Sequence, residues 1–132
     1  AVEAENASVR QALQTWLDTL ARGKPEEMNA LYKENAVLLP TIANAPHNNS
    51  VERIEYFKRL FIALPAVKGK VNEQYVQVYG DTAVNSGIYT FTVEKNKETV
   101  AVVPARFSFT YVRDDGRWKI VSHHSSRLPE EQ

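Results

Sequence analysis

Residues 105–126 read Ala-Arg-Phe-Ser-Phe-Thr-Tyr-Val-Arg, then Asp-Asp-Gly, then Arg-Trp-Lys-Ile-Val-Ser-His-His-Ser-Ser. Two runs rich in aromatic and β-branched residues flank an Asp-Gly pair. That combination commits the stretch to an antiparallel hairpin. The second run ends in four polar side chains, His123, His124, Ser125 and Ser126. Polar groups at the end of an otherwise apolar strand either sit at a wet edge or line a site.

The period of two reaches back to Val67 and predicts strands over 70–79, 82–93, 98–112 and 117–126. Their links are Gly80-Asp81, Glu94 to Lys97, and Asp114 to Gly116. Upstream the period is helical. Val9, Leu13, Trp16, Leu17 and Leu20 share one stripe, capped at Asn6 or Ser8 and stopped at Gly23, with residues 1–5 frayed. Pro25, Glu26 and Glu27 open a short second helix whose apolar face is Met28, Leu31 and Tyr32. Ala36 to Pro40 reads as a strand, and Thr41 to Asn49 as a polar loop holding His47. Ser50 caps a third helix with Val51, Ile54, Phe57, Phe61 and Leu64 inward, ended by Pro65. Three helices with a four-strand meander and one early strand make an α+β plan in a single domain, 1–132. A strongly bent antiparallel sheet would wrap the three N-terminal helices as a cone with an apolar interior.

Sixteen basic residues balance sixteen acidic ones, which gives no general attraction to nucleic acid or an anionic membrane. The absence of cysteine removes disulfides, thiolate metal sites and thiol nucleophiles. No apolar run approaches the roughly 20 residues of a membrane span. An opening Ala1-Val2-Glu3-Ala4 without Met fits a processed, exported (periplasmic) chain or a trimmed cytoplasmic one.

Alternation sorts the last strand into two sets. Trp118, Ile120, Ser122, His124 and Ser126 face one way, and Lys119, Val121, His123 and Ser125 the other. His123 and His124 therefore diverge and cannot share a metal ion. His47 is the one remaining histidine, so no metal site is expected. Apolar residues on both sides of this strand, Trp118 and Ile120 opposite Val121, predict a homodimer through the outer sheet face. Taken singly, Tyr56 is a core aromatic, Thr41 a turn residue and Arg106 an ion-pair partner facing away. The residues alone lead to an α+β cone with a polar-mouthed pocket.

The pattern as a whole resembles the nuclear-transport-factor-like (cystatin-like) cone fold. Within it the chain is similar to the association domain of calcium/calmodulin-dependent protein kinase, through Asp115-Gly116-Arg117-Trp118, Val121 and the His124/Ser126 pair. It resembles more closely the iota carbonic anhydrases of that group. The shared segments are Leu39-Pro40-Thr41, Ile54-Glu55-Tyr56-Phe57, Tyr89-Thr90-Phe91, Ala105 to Tyr111, and His123 to Pro129. The likeness covers about residues 7 to 130, with Leu128 in place of the usual Met and His47 where many relatives carry Arg.

The resemblance implies a lyase (carbonate dehydratase) that hydrates carbon dioxide reversibly to bicarbonate without metal or cofactor. It carries over Thr41, Tyr56, His123 and Ser125 as catalytic residues. Trp16, Phe57, Phe107, Phe109 and Tyr111 would form the pocket wall, with His47, Tyr89, Arg106 and His124 in support. His123 is the expected proton acceptor, because an unperturbed histidine titrates near neutral pH. The alternative is a non-catalytic oligomerisation or small-carboxylate-binding module of the same fold. A steroid-isomerase-like enzyme would want a carboxylate base aimed inward, and none is evident.

Overall fold

The computed structural model describes residues 2–129. Helix α1 spans Val2–Arg22 and buries Val9, Leu13, Trp16, Leu17 and Leu20. It begins earlier than the capping signals suggest. Glu3 and Glu5 lie in its first turn, where carboxylates suit the positive end of the helix dipole, and Arg10 pairs with Glu3 at 3.1 Å. Asn6 and Ser8 are therefore interior positions, and the segment expected to fray is helical from Val2.

Helix α2 is only Pro25–Asn29. Tyr32 is not on it: strand β1 already starts there and runs Tyr32–Leu39. Helix α3 spans Ser50–Ala63 and is capped by Asn49, whose side chain accepts from the Glu52 amide at 2.9 Å. Ser50 instead donates through its own N–H and hydroxyl to the Glu34 carboxylate, at 2.8 and 2.7 Å. Val51, expected inward, is 79% exposed, and the buried residue of that turn is Arg53. Arg53 donates to Asn29 Oδ1 at 2.8 Å, Ala36 O at 2.7 Å, Lys33 O at 2.9 Å and Glu34 O at 3.0 Å. A charge taken out of water needs this density of partners, and the result is that α3 is tied to β1.

Strands β2 (Val67–Tyr79), β3 (Thr82–Lys95), β4 (Glu98–Asp114) and β5 (Arg117–Arg127) complete one sheet in the order β1-β5-β4-β3-β2. The meander is antiparallel, but β1 lies parallel to β5. The sheet is therefore mixed, not wholly antiparallel as expected. Parallel pairing follows because the chain between β1 and β5 passes through α3 and three strands before it returns. At the β4–β5 hairpin Asp115 and Gly116 have φ of +53° and +75°, the left-handed pair that a tight hairpin of correct twist demands. Gly69 of β2 meets α1: a Cβ there would stand 2.5 Å from Leu17 Cδ2, so its absence sets how closely the helix packs on the sheet.

Strand β5 does not alternate throughout. Thr110 of β4 pairs with Ser122 and Tyr111 with Ile120, which leaves Val121 as an extra residue. A bulge of this kind shifts parity by one. Ile120 therefore turns inward and is buried, on the same side as His123 and Ser125. The expected grouping of Ile120 with His124 is corrected accordingly. Beyond the bulge alternation resumes, with His123 and Ser125 in and His124 out.

Candidate functional site

The curl of the sheet and helices α1 and α3 enclose a cavity of about 70 Å³. A water needs roughly 10–15 Å³ on this measure, so the space holds a handful of small groups. Leu20, Leu38, Leu60, Val67, Phe91 and Val103 supply apolar walls. Thr41, Tyr56, Tyr89, His123 and Ser125 supply hydroxyls and an imidazole, and among the described residues no charged side chain lines the space.

The five polar groups come from four parts of the fold. Thr41 follows β1, Tyr56 comes from α3, Tyr89 from the inward face of β3, and His123 and Ser125 from β5 past the bulge. They join in one hydrogen-bonded series. Trp16 Nε1 donates to Tyr32 Oη at 3.0 Å. Tyr32 Oη lies 2.9 Å from His123 Nδ1, and Tyr89 Oη lies 3.2 Å from His123 Nε2. Tyr89 donates to Ser125 Oγ at 2.7 Å, and Ser125 is hydrogen-bonded to Thr41.

Burial governs the titration of these groups. It is the main cause that pushes the His123 imidazolium down to about 3, with the neighbouring His124 charge a lesser one. His123 is therefore neutral at physiological pH, against the expectation that it titrates near 7. Burial likewise raises the Tyr32 and Tyr89 phenols and pushes Tyr56 up to about 12. The cluster is uncharged. Phe109 stacks on His123 with centroids 3.8 Å apart and Trp16 meets the same ring edge-on at 5.1 Å, so the ring is held on both sides.

Of the sequence-predicted site residues, Thr41, His123 and Ser125 meet in the chain described above. Tyr56 lines the same cavity, with no hydrogen bond to those three among the described residues. Tyr89, assigned a supporting place, is the central link between His123 and Ser125. Trp16 and Phe57 reach the cavity wall, but Phe107 and Phe109 stand behind it. Phe107 packs on Tyr89 at 4.6 Å and Phe109 lies against His123. Tyr111 is further off, stacked on Phe109 and lining a groove beside Trp118. His47 stands near the mouth, its ring 5.5 Å from that of Tyr56 and its Nδ1 3.9 Å from Glu52.

Arg106 and His124 are corrected. Alternation on β4 buries Ala105, Phe107 and Phe109 and sends Arg106 outward. There Arg106, Ser108, His124 and Ser126 share a shallow depression on the outer face. Tyr32 is the site residue that sequence reasoning missed, because Met28, Leu31 and Tyr32 fit a helical stripe. The pairing of Trp16 with a second polar-tipped aromatic was the available signal, since buried indole N–H groups need acceptors. Among the described residues no three His, Cys, Asp or Glu side chains cluster as metal ligands.

The family model for the calcium/calmodulin dependent protein kinase II association domain matches residues 5–129. A Xanthomonas campestris protein provisionally described as such an association domain is 38% identical, with a TM-score of 0.84 over 93% of this chain and 87% of that one. A provisionally described dehydratase of the NTF2-like family from Streptomyces avermitilis is 14% identical, with a TM-score of 0.87 over 98% and 100% of the two chains. A Novosphingobium aromaticivorans protein provisionally described as a scytalone dehydratase is 15% identical, with a TM-score of 0.83 over 96% and 85%. These last two show a shared α+β, NTF2-like fold and nothing of function. No curated protein matches the chain.

Proposed function

The chain belongs to the calcium/calmodulin dependent protein kinase II association domain family, and from that premise we propose that it is a carbonic anhydrase, hydrating carbon dioxide to bicarbonate with its own side chains. The observation that carries this reading is an uncharged hydroxyl–imidazole series at the floor of a small apolar cavity. Carbon dioxide is small and apolar, and the walls of the cavity suit it. The product is small and rich in oxygen acceptors, and Thr41 and Tyr56 offer hydroxyls to it.

An uncharged cavity favours a route in which no charge builds up. Water attacks the carbon of carbon dioxide. Its proton passes to Thr41 Oγ1 while the Thr41 hydroxyl proton passes to a carbon dioxide oxygen. One C–O bond forms, one C=O π bond becomes the new C–OH, and Thr41 is regenerated. Carbonic acid leaves and ionises in bulk water. Tyr56, un-ionised because burial pushes it up to about 12, donates to the other carbon dioxide oxygen and polarises the carbon for attack. His123 stays neutral and relays polarity along the series.

Stopped-flow hydration by chelator-treated protein tests the reading. Turnover that Thr41→Val lowers by about 100-fold, the typical worth of one preorganised donor, is the expected result. Hydration no faster than buffer overturns it.

A second reading, an assembly or small-carboxylate-binding module, draws on the family's association role and on the outer sheet face. Tyr75 and Val102 are 63% and 60% exposed there, and the depression beside them is lined by β-strand residues alone. We place a homodimer interface on that face. Ile120 does not contribute to it, being turned inward. Light scattering at micromolar concentration that finds only monomer overturns the dimer.

A further inference from the structure

We propose that Tyr32, backed by Trp16, is a positioning residue that fixes the direction of the hydrogen-bond series, so that the Thr41–Ser125 pair meets the cavity as a hydroxyl donor. The inference rests on the reading of this cavity as the reaction site, and it adds what sort of atom the site is built to face.

An indole N–H can only donate, so Tyr32 Oη accepts from Trp16. Tyr32 then has one proton to place. Among the described residues its one other hydrogen-bond partner is His123 Nδ1, at 2.9 Å. Nδ1 is therefore the bare nitrogen, and Nε2 carries the ring proton and donates it to Tyr89 Oη. The Tyr89 proton goes to Ser125 Oγ. Ser125 and Thr41 share one hydrogen bond and hold two hydroxyl protons, so one proton of the pair is left over, and both side chains stand on the cavity wall.

Running every bond the other way would put the ring proton on Nδ1. The Tyr32 hydroxyl, only 5% exposed as a residue, would then have no acceptor. A buried donor without a partner disfavours that arrangement by roughly 5- to 150-fold. The consequence reaches the far end of the series. The Thr41–Ser125 pair presents a proton to the cavity and keeps a lone pair beside it, the pairing that a neutral proton shuttle needs. Ligands that bring an oxygen acceptor are matched, and ligands that bring only N–H donors are not.

Nitrogen-15 NMR of histidine-labelled protein near pH 7 reads the tautomer directly. In the wild type His123 should show a protonated Nε2 and a bare Nδ1. Tyr32→Phe keeps the ring and removes the anchor, so that either direction leaves one Nδ1 group unpartnered. Both tautomers should then be populated. Should Tyr32→Phe fail to fold, the wild-type spectrum decides by itself, because the proposal requires Nε2 and not Nδ1 to carry the ring proton there. A wild-type His123 protonated on Nδ1 overturns the proposal. So does a His123 that remains wholly Nε2-protonated in the variant. The measurement does not depend on turnover. A protein that shows the expected tautomers and fails to hydrate carbon dioxide therefore refutes the reaction and leaves the positioning role standing, and the converse result separates them the other way.

Discussion

His123 and His124 are neighbours in sequence and meet opposite environments. His123 is buried, sandwiched by Phe109 and Trp16, and hydrogen-bonded through both ring nitrogens. His124 is exposed on the outer face, across from Ser108 on β4. Ser125 and Ser126 repeat the contrast one pleat further on. Identical residue types thus acquire different chemistry from strand parity alone. On the inner face His123 and Ser125 are desolvated and find partners in Tyr32, Tyr89 and Thr41, so a series with fixed geometry results. On the outer face water competes for every contact, and the same groups form no such series.

The largest expected break in this comparison comes from paired alanine substitutions. His123→Ala removes a fully buried ring and strands the Tyr32 and Tyr89 hydroxyls. Loss of about 2–4 kcal/mol of stability follows from the cavity and the unpartnered groups together, and hydration should fall with it. His124→Ala should change stability by less than about 0.5 kcal/mol. Urea denaturation of the two variants checks this. Equal losses would mean that the faces are not distinct.

Tyr56→Phe probes the inner face without emptying it. The ring keeps its contact with Phe57 at 5.2 Å, and only the hydroxyl is lost. Turnover should drop by about 100-fold while the urea midpoint barely moves. A collapse of stability with unchanged activity per folded molecule would assign Tyr56 to packing.

The parity of His123 and His124 was legible because neighbours in a regular strand must diverge, and no bulge falls between them. Ile120 was misplaced because one extra residue at Val121 inverts everything on its far side, and a bulge leaves no mark on an alternating pattern. Arg53 was unreadable for a related reason. Periodicity counts apolar residues, and a buried guanidinium satisfied by four backbone and amide oxygens looks like a surface charge. Tyr32 fell to the ambiguity of short segments: with α2 only Pro25–Asn29, its apolar spacing continued past a helix that had already ended. The order of the meander and the Asp115-Gly116 turn were open to reading since they depend on local chemistry. The parallel β1–β5 pairing is a contact across some 80 residues, and no local signal carries it.

Acid sharpens the comparison further. The folded His123 resists protonation down to about 3, whereas an unfolded histidine accepts a proton near 6.5. Below that value the unfolded chain binds the extra proton, so the contribution of His123 is full above pH 6.5 and is lost as pH falls toward 3. Between pH 6.5 and 5, before most carboxylates titrate, the wild type should lose about 1.5 kcal/mol from this group. His124→Ala should keep that slope and His123→Ala should lack it. Denaturation midpoints at the two pH values decide, and a slope that survives in His123→Ala removes the buried ring as its source.

The smallest expected effect lies wholly on the outer face. Arg106 is exposed and pairs in register with Ser126, two residues along from the Ser108–His124 pair. It makes no hydrogen bond or ion pair among the described residues, and the cavity lies on the other side of the sheet. Arg106→Ala should therefore leave stability within about 0.5 kcal/mol of wild type and leave hydration unchanged, because neither the proton route nor the walls involve it. If this face joins two copies, the variant should still shift the concentration at which dimers form, since removing a charge from the depression shared with His124 and Ser126 alters what a second sheet meets there. Hydration lowered tenfold in Arg106→Ala at a concentration where the protein stays assembled would mean that the reaction draws on the outer face, and the division between the two sides of β5 would have to be redrawn.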